Sequence, residues 1–161
     1  MIFVAGIHGV GKTTFSNMLS EKMRIPHYSA SKIIASADPA KIYPIKLVDT
    51  IDENQQLLIR GCYEISQREK DYILDGHMCL LDASGQITRI AKEVFFALNI
   101  TKLIIIECSP EIIQKRLRER NGIFWSLEEI NRFQEEEKSY GQYIAKELGI
   151  EIEFFCEQES I

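Results

Sequence analysis

The octapeptide Gly6-Ile7-His8-Gly9-Val10-Gly11-Lys12-Thr13 follows directly on the apolar run Ile2-Phe3-Val4-Ala5 and reads G-x-x-x-x-G-K-[ST]. Each specified residue has a task in holding a chain of phosphates. The glycines let successive backbone N–H groups curl around phosphate oxygens, the lysine reaches the β and γ groups, and the threonine hydroxyl ligates Mg2+. Gly6, His8, Gly9, Val10, Gly11, Lys12, Thr13 and Thr14 are therefore the candidate nucleotide-binding residues, with ATP and Mg2+ as the expected ligands. A helix opening at Lys12 would add the positive end of its dipole.

A second apolar run, Tyr72-Ile73-Leu74, ends at Asp75. From a strand end a carboxylate reaches the metal beside such a loop, directly or through water, so Thr13 and Asp75 are the expected metal pair. Gly76 would let the backbone pass close to bound phosphates, and His77 would orient a water or an acceptor hydroxyl; the plain alternatives are a turn former at Asp75 and a surface histidine. Phosphoryl transfer also demands positive charge on the moving group. Arg116 and Arg120 share one helix face by their i, i+4 spacing and, with Lys12 and Asp75, form the expected catalytic set. Arg132, further on, would complete a clamp. The alternative for all three arginines is that basic residues complement the C-terminal end of a helix dipole. Phe124 and Trp125 either stack on adenine or pack in a core.

The elements that must position these residues are legible as apolar runs separated by polar helical stretches. Ile2 to Ala5, Tyr72 to Leu74, Leu103 to Ile106 and Ile150 to Phe155 read as parallel strands covered on both faces. This predicts an α/β chain, a three-layer α/β/α P-loop fold with a mostly parallel central sheet. Lys12 to Met23 reads as its first helix. The stretch from Ser31 to Lys70, helical from about Pro44, exceeds what one crossover needs and is the expected acceptor-binding insertion, over about residues 31–70. Asp82-Ala83-Ser84-Gly85 between short apolar pieces predicts a hairpin turning at Gly85. Ser109-Pro110-Glu111 opens a helix, Ser126-Leu127-Glu128-Glu129 is a capping box for another that runs to about Leu148 and stops at Gly149, and residues 120–127 between them are the expected lid.

At 161 residues the chain is expected to form one domain over residues 1–161. Its 45% hydrophobic and 27% charged residues are ordinary for a soluble globular protein. No apolar run approaches a membrane span, and the nucleotide strand begins at residue 2, so a cytoplasmic location without membrane attachment is expected. The net charge of −5 argues against a nucleic-acid partner. Cys62, Cys79, Cys108 and Cys156 are scattered without metal-ligand spacing and read as reduced, mostly buried thiols; Glu135-Glu136-Glu137 reads as a solvated helix face.

With these residues placed, the chain resembles the P-loop nucleoside-monophosphate kinases, in particular the archaeal-type and nuclear adenylate kinases, over most of its length. Those proteins carry Gly-x-Pro-Gly-x-Gly-Lys-Thr-Thr, matched by Gly6 to Thr14 with His8 in place of proline, and Asp-x-His, matched by Asp75-Gly76-His77. Their arginines at four-residue spacing before a short lid are similar to Arg116 and Arg120. The resemblance implies ATP-dependent phosphoryl transfer to a nucleoside monophosphate, with weak ATPase activity. It breaks at the family's Asp-x-x-Arg pattern, whose arginine holds the acceptor phosphate: here Lys32 and Ala35 stand at those positions. Lys32 or Arg60 is then the expected substitute, with Ser31 and His77 as further acceptor-side candidates and Arg132 beside them. Two alternatives share the ATP half: a nucleotide-dependent regulatory module acting on a protein or RNA partner, and a kinase of small metabolites of the shikimate or gluconate type. No Asn-Lys-x-Asp guanine signature is present, which favours ATP over GTP.

Overall fold

The computed structural model describes residues 1–37, 52–82, 84–122 and 124–157. Strands β1 (Ile2–Ala5), β2 (His27–Ser29), β3 (Ile73–Gly76), β6 (Lys102–Cys108) and β7 (Glu151–Glu157) form one all-parallel sheet in the order β2-β3-β1-β6-β7. A separate antiparallel hairpin joins β4 (Cys79–Leu81) to β5 (Ile87–Arg89). Helices α1 (Lys12–Met23), α2 (Ala30–Ser36), α3 (Glu53–Ser66), α4 (Lys92–Ala97), α5 (Pro110–Asn121) and α6 (Leu127–Leu148) flank the sheet. The result is a three-layer α/β/α arrangement.

The central strand explains why the runs are continuously apolar. Phe3, Val4 and Ala5 of β1 are buried, as are Ile73 and Leu74 of β3 and Leu103 to Ile106 of β6, because helices cover both faces of a parallel sheet. Strand β2 has no counterpart among the apolar runs of the sequence. At three residues, His27-Tyr28-Ser29, it is too short and too polar to show a period, and its pairing with β3 forms it. Among the described residues the 31–70 stretch carries most of α2 and all of α3; the expected start near Pro44 lies outside the described residues, and α3 begins at Glu53 with Asp52 as its N-cap, the carboxylate accepting from Gln55 N–H.

Local signals elsewhere match the structure closely. Ser109 caps α5 with Pro110 at the first helical position, and Ser126 and Glu129 form a reciprocal capping box on α6. Gly149 ends α6 at φ 64, and Gly85 turns the hairpin at φ 79 while the Asp82 carboxylate accepts from Ser84 and Gln86 N–H. Helix α1 differs from α3, α5 and α6 in having no side-chain cap: its N-cap is Gly11, left-handed at φ 99. Its first turn is thus left without a capping side chain, as a phosphate site requires.

Helix α6 lies on β6 and β7. Gly141 permits the close approach: a Cβ there would meet Ile105 Cδ1 at 2.8 Å. No helix among the described residues is long and apolar enough to cross a membrane. Cys62, Cys79 and Cys108 are buried free thiols and Cys156 is exposed; burial pushes the Cys62 and Cys79 thiols up to about 12, so neither is a nucleophile at neutral pH.

Candidate active site

The loop after β1 takes its shape from three glycines with positive φ, Gly6 at 153, Gly9 at 81 and Gly11 at 99. At Gly6 a side chain is excluded on two counts, since a Cβ would also lie 2.7 Å from the Ile106 carbonyl oxygen. Ile7 and Val10 are buried and anchor the loop to the core, while Lys12 folds back so that Nζ donates to the Gly6 and Ile7 carbonyls at 2.7 and 2.9 Å. Burial pulls the Lys12 ammonium below its ordinary range, and the carboxylates of Glu137 and Asp75 oppose that shift. Arg116 closes the loop from α5, its Nη1 donating to the Gly9 carbonyl at 3.2 Å.

Asp75 is 5% exposed on β3 and brings its Oδ2 to the Thr13 hydroxyl at 3.4 Å. A hydroxyl and a carboxylate are oxygen ligands of the kind that suits a hard cation such as Mg2+, while the uncapped helix N-terminus beside them favours phosphate. The same Oδ2 accepts from His27 Nε2 at 2.7 Å, and His27 Nδ1 lies 2.8 Å from Asn17 Oδ1. Burial pushes the Asp75 carboxyl up, but the hydrogen bond and charge of His27, with Ser29 and Lys12, outweigh it and hold the carboxyl below its ordinary value. His77 packs at a tilt against His8 with ring centroids 4.3 Å apart, and its Nδ1 is buried without a hydrogen-bond partner among the described residues. Burial, then the charges of Lys12 and His8, keep the His77 ring neutral; the Gly6 backbone acts the other way. A neutral imidazole on the cleft wall can share a hydrogen bond with a ligand, but a ring held this strongly neutral is a poor proton acceptor.

Two clefts meet here. The first, about 600 Å3, is lined by His8, Gly9, Gly11, Lys12, Thr13, Thr14, Ser29, Ser31, Asp75, His77, Arg116, Leu117, Glu119 and Arg120. The second, about 680 Å3, runs between α1, α2 and α3 and shares Thr13, Ser29 and Ser31 with the first. Lys32 lines it, together with Arg68, which carries no mark of a site in the sequence. Arg60 is half-buried on α3 and Arg132 is exposed on α6; neither is among the residues lining these two clefts. Trp125 packs on Phe133 with centroids 5.7 Å apart, at the edge of the core, while Phe124 is exposed beneath the Arg118 guanidinium.

One sequence reading is overturned outright. Within Glu135-Glu136-Glu137, Glu135 is exposed and Glu136 pairs with Arg89, but Glu137 is 1% exposed and faces the P-loop. Its Oε1 accepts from Gly6 N–H at 3.0 Å and Met78 N–H at 2.8 Å, and its Oε2 from Cys79 N–H at 2.8 Å. Burial raises its carboxyl, opposed by these N–H groups and by Lys12. The sequence does hold a signal for this: Ile130, Phe133, Glu137, Tyr140, Gly141 and Ile144 recur at helical spacing, so Glu137 lies on the apolar face. His27 and Arg68 carry no comparable signal, the first opening a three-residue strand and the second lying just beyond the C-cap of α3.

A phosphate loop at the carboxyl end of the central strand of a parallel sheet, with a strand-end carboxylate beside it, defines a P-loop nucleotide-binding protein of the kinase type. Residues 5–131 match the AAA domain family, AAA_17, and the chain belongs to that family. It is 32% identical over 126 residues to a protein of Methanocaldococcus jannaschii named "Putative adenylate kinase", covering 74% of this chain and 58% of the relative. It is 26% identical over 120 residues to an adenylate kinase of Thermoplasma acidophilum, covering 70% and 63%. The chain thus spans about three fifths of each relative's length. Among solved structures, shikimate kinase from Bacteroides thetaiotaomicron superposes with a TM-score of 0.55 at 14% identity, over 99% of this chain and 88% of the other. The YorR protein of Bacillus subtilis, solved with phosphorylated GDP, gives 0.55 at 15% identity, over 96% and 84%. These superpositions speak to the fold.

Proposed function

We propose that this protein binds MgATP in the first cleft and transfers the γ-phosphoryl group to a nucleoside monophosphate or related small acceptor held in the second. The observation that carries the proposal is the junction of the two clefts at Thr13, Ser29 and Ser31, which would let a donor bound in one lie beside an acceptor bound in the other. The loop amides and Lys12 bind the donor phosphates, and Thr13 and Asp75 hold Mg2+, which supplies charge neutralisation when bound. Arg116 and Arg120 supply positive charge to the equatorial oxygens of the moving group. A phosphate acceptor needs no general base; a hydroxyl acceptor would lose its proton to Asp75, with the neutral His77 ring orienting that hydroxyl. Lys32 and Arg68 take the place of the arginine absent at Ala35 in drawing the acceptor phosphate. Residues 31–70 act as the acceptor-binding insertion and 120–127 as the lid, within one domain.

The test is a coupled assay of ADP formation with MgATP and a panel of nucleoside monophosphates, nucleosides and polar metabolites, in wild type and Lys12→Ala. Acceptor-dependent turnover that disappears in Lys12→Ala supports the proposal. Hydrolysis without any acceptor, combined with a protein or RNA partner whose affinity differs between ATP and ADP, replaces it with a nucleotide switch.

A further inference from the structure

We infer that Glu137 is a positioning residue that locks the entry of the P-loop to the segment carrying Asp75 and His77, and that α6, through Glu137 and Gln134, is the template on which the nucleotide cleft is aligned. Three strand ends feed that cleft, and α6 touches the backbone at each. Glu137 takes the N–H of Gly6, the first residue after β1, and the N–H groups of Met78 and Cys79, which directly follow His77. Gln134, one turn earlier on the helix and 8% exposed, makes a two-way bond to Cys108 at the end of β6: Nε2 donates to its carbonyl and Oε1 accepts its N–H, both at 3.0 Å. Cys108 immediately precedes Ser109, the cap of the helix that bears Arg116 and Arg120. Gly141, one turn beyond Glu137 on the same face, brings the helix axis close enough for these side chains to reach.

Glutamate suits this position in a way that glutamine does not. Two N–H groups point at one carboxylate oxygen and a third at the other, so all three partners are donors. A glutamine can turn its one oxygen to Gly6 and Met78, but its NH2 then faces the Cys79 N–H, donor against donor. The carboxylate also sets a negative charge beside Lys12, whose electrostatic partner it is. A shift of either loop by an ångström misplaces Lys12 relative to Asp75, the kind of error that costs about a hundredfold in rate.

The effect on turnover rests on the proposed phosphoryl transfer; the effects on the loop and on nucleotide affinity do not. The experiment compares wild type, Glu137→Gln, Glu137→Asp and the core control Ile144→Val by amide resonances, MgATP binding calorimetry and, where turnover is found, kcat and KM. Expected for Glu137→Gln are a joint displacement of the Gly6, Met78 and Cys79 amide resonances, a loss of MgATP affinity of about tenfold, and a fall in kcat of about a hundredfold. Glu137→Asp, which keeps the charge but is one methylene short, recovers part of both losses. Ile144→Val lowers the melting temperature and leaves affinity and kcat per folded molecule unchanged. If Glu137→Gln melts earlier but binds MgATP as wild type does, Glu137 serves stability alone and the inference is overturned. Should Glu137→Gln fail to fold, Glu137→Asp decides by the same readouts. If wild type shows no phosphoryl transfer, MgATP affinity and the amide resonances still decide the role of Glu137, so the two readings fail separately.

Discussion

Replacing Asp75 by asparagine separates two roles that meet at one carboxylate. The fold holds the Asp75 carboxyl below its ordinary value of 3.8, which means that its interactions favour the ionised form despite burial. Neutralising it must therefore destabilise the protein. Asparagine can still accept a neutral hydrogen bond from His27, so what is lost is the excess of a charge-assisted bond over a neutral one, about 1 to 1.5 kcal/mol. For a chain of this size that lowers the melting temperature by about 2 to 6 °C near pH 7. The sign with pH follows from the direction of the shift. A carboxyl depressed in the folded state contributes stability that is present above the unfolded value and is lost as pH falls through the folded one. The gap between wild type and Asp75→Asn should thus be constant above about pH 5 and close below the ordinary value of 3.8. The second role is read in the same instrument. MgATP at about a hundred times its dissociation constant adds about 2.7 kcal/mol, or roughly 5 to 11 °C, to wild type. Asp75→Asn should lose the metal-dependent part of that rise and respond equally to ATP with and without Mg2+. Calorimetric scans from about pH 3 to 8, with EDTA, ATP or MgATP, measure all of this. An undiminished MgATP response would remove Asp75 from the metal site, and a gap unchanged down to about pH 3 would refute the electrostatic account of the His27 pair.

Two further outcomes distinguish neighbouring residues. Gly61→Ala places a methyl against Ile33 Cγ2 at the contact between α3 and α2, and overpacking of this kind costs about 1 to 3 kcal/mol. Because α2 carries Ser31 and Lys32, the acceptor KM should rise while calorimetric MgATP affinity stays at its wild-type value; a loss of MgATP affinity would place this contact in the donor cleft instead. Arg116→Ala removes both charge and a bond to the Gly9 carbonyl and should lower the melting temperature as well as kcat, whereas Arg120→Ala, on an exposed part of the cleft wall, should lower kcat by about a hundredfold or more with little thermal effect. Equal thermal losses in the two variants would contradict the distinct placements.

What the sequence discloses and what it conceals divide along a physical line. Contiguous signals are readable: the loop from Gly6 to Thr14, the apolar runs of β1, β3 and β6, and the caps at Ser109 and Ser126, because each depends on residues close together in the chain. Contacts between distant segments are not. His27 meets Asp75 across two adjacent parallel strands, and nothing in Pro26-His27-Tyr28 announces a strand. Glu137 is masked by its acidic neighbours, although its helical phase places it on the apolar face. Arg68 reaches the second cleft from beyond the end of α3, where charge alone gives no direction.

The bond between Gly6 and Glu137 spans 131 residues. On a ribosome adding about 5 to 20 residues per second, the phosphate loop is made first and waits on the order of ten seconds for the carboxylate that braces it. On the proposed bracing, full nucleotide affinity is a late acquisition, reached only when α6 has emerged and docked. A nascent or C-terminally clipped chain would carry the full loop motif without its brace, so that full-strength ligand binding would certify that synthesis has passed Glu137.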